Sequence, residues 1–154
     1  MNHVTPPQWL DDEEQRAWRA FLTAAGLVNR SLDQQLRADA GLSHLQYEVL
    51  VRLSEAPGGM VRMTELAADL THSKSGLSYQ IGQLVDAGLV RREPCPTDVR
   101  GINAVLTDAG RERLAAIAPG HVAKAREILI DVLTPAQLTA LADGLEEVTR
   151  RLQQ

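Results

Sequence analysis

The chain is poor in the residues that carry most cofactor and metal chemistry: one cysteine, Cys95, one phenylalanine, two tryptophans and two tyrosines in 154 residues. A single thiol excludes an internal disulfide, and without a C-x-x-C pair the usual cysteine spacing of a structural zinc site is missing. His3, His44, His72 and His121 are scattered, with no H-x-x-x-H pair, so neither a metal site nor a cofactor is expected. There is no G-x-S-x-G elbow, Walker loop or dinucleotide fingerprint; a hydrolase built on Ser73 or Ser75 would lack a base in any recognised arrangement. No uninterrupted apolar run reaches membrane-spanning length, and the start Met1-Asn2-His3-Val4 has neither a basic nor an apolar leader segment, so a cytoplasmic protein without a membrane partner is expected. Positive charge is also short: 16 Lys and Arg stand against 20 Asp and Glu, a net charge of -4. That balance counts against binding by phosphate neutralisation. It is uneven, however, because residues 59–107 hold five charges of each sign while residues 1–58 hold five arginines against eight acids.

Helical periodicity is plentiful. Phe21, Leu22, Ala25, Val28, Leu32 and Leu36 recur at helical spacing in a proline-free stretch from 12 to 39, with four acids at its start and Gly41 placed to cap its end. Ser43-His44-Leu45-Gln46 is a capping box, and Leu42 with Tyr47 occupies the positions of a hydrophobic staple, so a second helix starts at Ser43 and runs to the breaker Pro57-Gly58-Gly59. A short extended piece, 60–63, leads to Thr64 as the cap of a helix over 65–70; a polar turn at 71–73 opens another helix near Lys74, with Leu77, Ile81, Leu84 and Val85 inward and Gly88 as its stop. Strands are expected over 89–93 and 102–106, joined by a long tip over 94–101. Thr107-Asp108 opens a long helix that Pro119-Gly120 should kink or interrupt, and Thr134-Pro135-Ala136-Gln137 starts a last one. In that last helix Leu138, Leu141, Leu145, Val148 and Leu152 recur at steps of three and four, the pattern of a seam between helices.

The order helix, helix, strand, helix, turn, helix, hairpin makes residues 43–106 a winged helix-turn-helix framed by helices over 12–39 and 107–152: one domain over 1–154, mainly α with a small antiparallel β wing. The run Leu84-x-x-x-Gly88-Leu89-Val90-x-Arg92, then Asp98-x-Arg100-Gly101-x-x-x-x-Leu106-Thr107-x-x-Gly110, resembles the wing of MarR-family regulators. Leu42-Ser43-x-x-Gln46-Tyr47-x-x-Leu50-x-x-Leu53 is similar to that family's second helix. The resemblance implies a homodimer joined through its first, fifth and sixth helices, two winged domains on a pseudo-palindromic operator in double-stranded DNA, and repression relieved by a small-molecule effector of unspecified identity.

The N-terminal half of a recognition helix fits the major groove, where small hydroxyl side chains let the backbone approach base edges. Ser73, Lys74, Ser75, Ser78 and Tyr79 are the candidates for that contact, Thr64 is a further candidate for DNA binding, and Arg100, on a thin loop, is the candidate for a narrow minor groove. By resemblance, Asp98 would hold the loop by pairing with a nearby arginine, and Arg92 would reach phosphate or brace the wing. The stripe Leu138, Leu141, Leu145, Val148 and Leu152 is the dimerisation candidate, although the same stripe could pack within its own chain. Trp9, Trp18, Phe21 and Tyr47 lie in or beside the first two helices, where the family forms an effector cleft; with so few aromatics, most are expected in the core. Cys95 sits near Arg91 and Arg92, which would lower its pKa, beside the plainer reading of an incidental thiol. The acidic balance also suits a winged-helix module that docks proteins and not DNA.

Overall fold

The computed structural model describes residues 7–71 and 73–154, so His3 and His72 lie outside the described residues. Helix α1 spans Asp12–Ala40. Asp11 caps it through a reciprocal pair, its carboxylate accepting from the Glu14 backbone N–H at 2.8 Å while the Glu14 carboxylate accepts from the Asp11 N–H at 2.9 Å. Gly41 closes it in the left-handed region, φ 68°, as the sequence suggests. Helix α2, His44–Glu55, starts at the Ser43 capping box, with both staple residues, Leu42 and Tyr47, buried.

Strand β1 covers Met60–Arg62 and helix α3 follows at once over Met63–Asp69. Here the expectation fails: the helix starts before Thr64, and its N-cap is Arg62, with no side-chain cap bond. The reason is the sheet. β1 pairs antiparallel with β3, Met60 opposite Val105 and Arg62 opposite Asn103, and the strand ends where that pairing ends. Helix α4, Lys74–Asp86, begins at Ser73, whose Oγ accepts from the Gly76 N–H at 3.2 Å, and Gly88, φ 75°, turns the chain into the hairpin.

The hairpin consists of β2, Val90–Cys95, and β3, Asp98–Leu106, in a sheet of order β1-β3-β2. Its strands outrun the expected ones: Cys95 lies opposite Asp98, leaving only Pro96 and Thr97 at the turn. Pro94 nonetheless pairs with Ile102, so Val99, Arg100 and Gly101 form an irregular bulge on β3.

Helix α5, Asp108–Ala125, runs through Pro119 without interruption. Proline removes the bond to the carbonyl of Ala115, but both residues are exposed and water can take that carbonyl. The irregularity comes later, as a π turn over Arg126–Ile130. Helix α6, Pro135–Leu152, then leaves at 99° from the Thr134 capping box.

The core lies among α2, α3, α4 and the sheet, with Leu50, Leu53, Leu66, Leu77, Ile81, Leu84 and Val90 fully enclosed and Leu36 and Ile117 entering from α1 and α5. Among the described residues no single helix is long and apolar enough to cross a membrane.

Candidate nucleic-acid interface

Helix α4 divides its residues sharply. Leu77, Ile81 and Leu84 face the core, which leaves Lys74, Ser75, Ser78 and Tyr79 exposed on the other side, Tyr79 by 66%. Ser73 stands at the head of this face, but its hydroxyl oxygen is engaged in capping. Thr64 is exposed in the first turn of α3, away from any capping role.

The wing is built from parts distant in sequence. Arg62 of β1 forms an ion pair with Asp98 across the sheet, and the other Asp98 oxygen accepts from the Arg100 backbone N–H at 3.0 Å. The Arg100 amide, then the Arg62 guanidinium, hold the Asp98 carboxyl below its ordinary range. The arginine that pairs with Asp98 is Arg62, a residue that sequence reasoning passed over. Gly101 lets the strand close over this pair: a Cβ there would meet Cys95 Cβ at 2.9 Å and Arg62 Nη2 at 3.1 Å.

Arg92 Nη2 donates to the Ser78 carbonyl at 2.8 Å and lies 3.3 Å from the Ser78 hydroxyl, linking β2 to the exposed helix. Arg91 is occupied by Glu93 at 2.7 Å. Cys95 is thus not governed by those two arginines; Thr97, whose Oγ1 lies 3.4 Å from the sulfur, is the main cause holding the thiol below its ordinary value, with Arg62 a lesser one. Arg100 lies exposed in the β3 bulge beside the fully exposed Val99, its guanidinium making no bond among the described residues.

The even charge count of residues 59–107 conceals a polarised surface. Asp69 pairs with Arg52, Glu93 with Arg91 and Asp98 with Arg62, so among the described residues of 59–107 the cations without a carboxylate partner are Lys74, Arg92 and Arg100, all on the α4 and wing side, and the carboxylates without a cation are Glu65 on α3 and Asp86 at the last residue of α4. These surroundings suit a polyanion in spite of the acidic whole.

Elsewhere, α6 has no buried residue: Leu138 and Leu141 are half-covered, while Leu145, Val148 and Leu152 are exposed by 37%, 51% and 81%. Trp9, Trp18 and Phe21 are exposed, contrary to expectation, and only Tyr47 of the four aromatics is in the core. A polar cleft of about 370 Å³ opens between α1, α2 and the end of α3, lined by Asn29, His44, Glu48, Asp69 and Thr71 among others.

A sequence model of the MarR family matches residues 40–101. Sco3205, a MarR family transcriptional regulator of Streptomyces coelicolor crystallised in complex with DNA, is 45% identical, the alignment covering 97% of this chain and 94% of that one at a TM-score of 0.92. This chain belongs to the MarR family. AbsC, another MarR family regulator of the same organism, is 44% identical over 96% of this chain and 99% of its own, at a TM-score of 0.88. The repressor YetL of Bacillus subtilis is 30% identical over 92 residues, 60% of this chain; the match spans little more than half of that relative, 55%. Membership explains why the wing motif and the α2 motif occur in one MarR-family chain, and it makes a transcriptional regulator of what composition alone leaves as a winged-helix protein.

Proposed function

We propose that this MarR-family chain is an operator-binding repressor that works as a homodimer, with α4 in the major groove and the wing in the adjacent minor groove. The observation that carries it is the pairing of one exposed α4 face, Lys74, Ser75, Ser78 and Tyr79, with a wing whose bulge arginine, Arg100, has no side-chain partner among the described residues. Ser73 caps α4, Arg92 ties the wing to it, and Thr64 supports the backbone contact from α3. The uncovered apolar surface of α1 and α6 supports a second copy, since exposed apolar stripes of this length mark interaction surfaces in soluble proteins. The polar cleft beside His44 and Glu48 is the place for an effector.

A titration of the purified protein with its own upstream DNA, against a scrambled duplex, at about 50 and about 200 mM salt tests the proposal. Sequence-selective binding that weakens steeply with salt is expected. Equal and weak binding to both duplexes would overturn it and favour docking of a protein partner. Truncation after Thr134 should abolish folding or dimerisation as seen by sedimentation; a stable soluble monomer would refute the role of Leu138, Leu141, Leu145, Val148 and Leu152.

A further inference from the structure

A chain of hydrogen bonds runs from the N-cap of α2 to the exposed face of α4. The Ser43 backbone N–H donates to Gln46 Oε1 at 3.0 Å, Gln46 Nε2 donates to Gln83 Oε1 at 2.8 Å, and Gln83 Nε2 donates to the Tyr79 hydroxyl at 3.3 Å. Ser43 and Gln46 are buried, while Tyr79 is exposed.

The direction of this relay is not free. A backbone N–H can only donate, so the Gln46 amide must turn its oxygen to Ser43 and its NH2 to Gln83. Gln83 then accepts with its oxygen and presents its own NH2 to Tyr79, one turn earlier on the same helix. The phenol oxygen is left to accept, and its single proton must point elsewhere. An isolated tyrosine hydroxyl can donate or accept as its surroundings ask; here one acceptor position is filled, which biases the hydroxyl toward donating.

We infer that Tyr79 is biased toward acting as a hydrogen-bond donor to a base-edge acceptor in the major groove, with Gln83 and Gln46 as positioning residues that set the sense of that bond. The inference rests on the operator-binding reading and adds to it the chemistry of one contact. Acceptors available there are purine N7, guanine O6 and thymine O4, whereas cytosine N4 and adenine N6 are donors. Tyr79 should therefore disfavour an operator position that presents only a donor.

The test is a base-pair scan of the operator with wild type, Tyr79→Phe, Gln83→Met, the double variant and Gln83→Glu. Tyr79→Phe and Gln83→Met should each lose selectivity at the same base pair by roughly three- to ten-fold, the worth of one neutral hydrogen bond. The double variant should lose no more than either alone, because the two groups act through one contact. Gln83→Glu keeps the size but offers only acceptor oxygens, so it should draw the Tyr79 proton inward and shift the preference at that pair toward a donor base. Additive losses at different base pairs, or Gln83→Met indistinguishable from wild type while Tyr79→Phe is impaired, would overturn the relay. A uniform loss over all sequences would overturn the base contact in favour of phosphate. Absence of salt-sensitive DNA binding by wild type would refute the operator-binding reading itself and this inference with it, whereas uncoupled Tyr79 and Gln83 in a wild type that binds would refute only the relay.

Discussion

Gly110 sits where α5 meets the base of the wing, and replacing it with alanine is the sharpest test of that joint. A Cβ at this position would fall far inside the envelope of the Leu89 carbonyl oxygen, with Leu106 Cδ1 at 2.7 Å and the Leu89 carbonyl carbon at 3.0 Å. The obstacle is backbone and cannot rotate aside. Leu89 O is already fixed by the Thr107 N–H at 3.2 Å, and the Thr107 hydroxyl both donates to Gly88 O at 2.7 Å and accepts from the Gly110 N–H at 3.0 Å. Relief therefore means lifting the first turn of α5. Overpacking of this kind costs about 1 to 3 kcal/mol, and the strained cap adds about 1 kcal/mol. Alanine returns about 1 kcal/mol of helix propensity. A net loss near the upper end, about 3 kcal/mol, corresponds to a melting temperature lower by roughly 6 to 12 °C for a domain of this size. Thr107→Ala, which loses the cap and the bond to Gly88 O, about 2 kcal/mol together, should fall by about 4 to 8 °C. Thermal melts monitored by circular dichroism at one fixed protein concentration separate the two, since dimer dissociation makes melting concentration-dependent. A Gly110→Ala protein that melts with wild type, or above Thr107→Ala, would show that α5 does not press on the Leu89 carbonyl.

Arg100→Ala should weaken binding to many duplexes alike and reduce the salt slope by about one, because a minor-groove guanidinium senses charge and groove width more than base identity; unchanged affinity would place the wing off the DNA. His121 packs its ring 4.1 Å from that of Tyr47 and 5.7 Å from that of His44, and burial first, then His44, hold its pKa below the ordinary 6.5. The unfolded chain then takes the proton first, so stability is lost as pH falls through the ordinary histidine value toward the lower folded one. Between about pH 7.5 and about pH 5.5 wild type should lose more melting temperature than His121→Phe; equal losses would remove His121 as the cause. Asp98, held below its ordinary value, contributes to the wing at neutral pH and loses that contribution only as pH falls below 3.8. The Arg100 amide resonance should report that titration with a midpoint under 3.8, and a midpoint above it would contradict the pairing with Arg62.

What the sequence reveals of this protein is what is decided within a few residues. The boxes at Ser43 and Thr134 and the left-handed glycines Gly41 and Gly88 depend on neighbours three or four positions away, and all are found where the residues place them. Thr64 misleads because the start of α3 is set by a strand partner more than 40 residues later, Asn103 opposite Arg62. Arg62 escapes notice for the same reason: 36 residues separate it from Asp98. The bracing of Ser78 by Arg92 and the link from Gln46 to Gln83 are likewise tertiary. Pro119 misleads in the opposite way, a strong local signal defeated because its side of α5 faces water. The aromatics Trp9, Trp18 and Phe21 are misplaced by the assumption that one chain must bury its own large side chains.

The π turn at Arg126–Ile130 works as a phase shifter between the two halves of the molecule. An α-helix advances about 100° per residue, so one extra residue in a turn rotates everything beyond it by about that angle. Upstream, the same helix presents Ile117 to the core of the winged domain; downstream, Ile128 looks toward Leu27 and Val28 of α1. A single residue thereby changes which face of this helix turns toward α1. Deleting one position there would turn Ile128 away from Leu27 and Val28 while leaving Ile117 in the core, so the length of this turn fixes which face of the helix α1 meets.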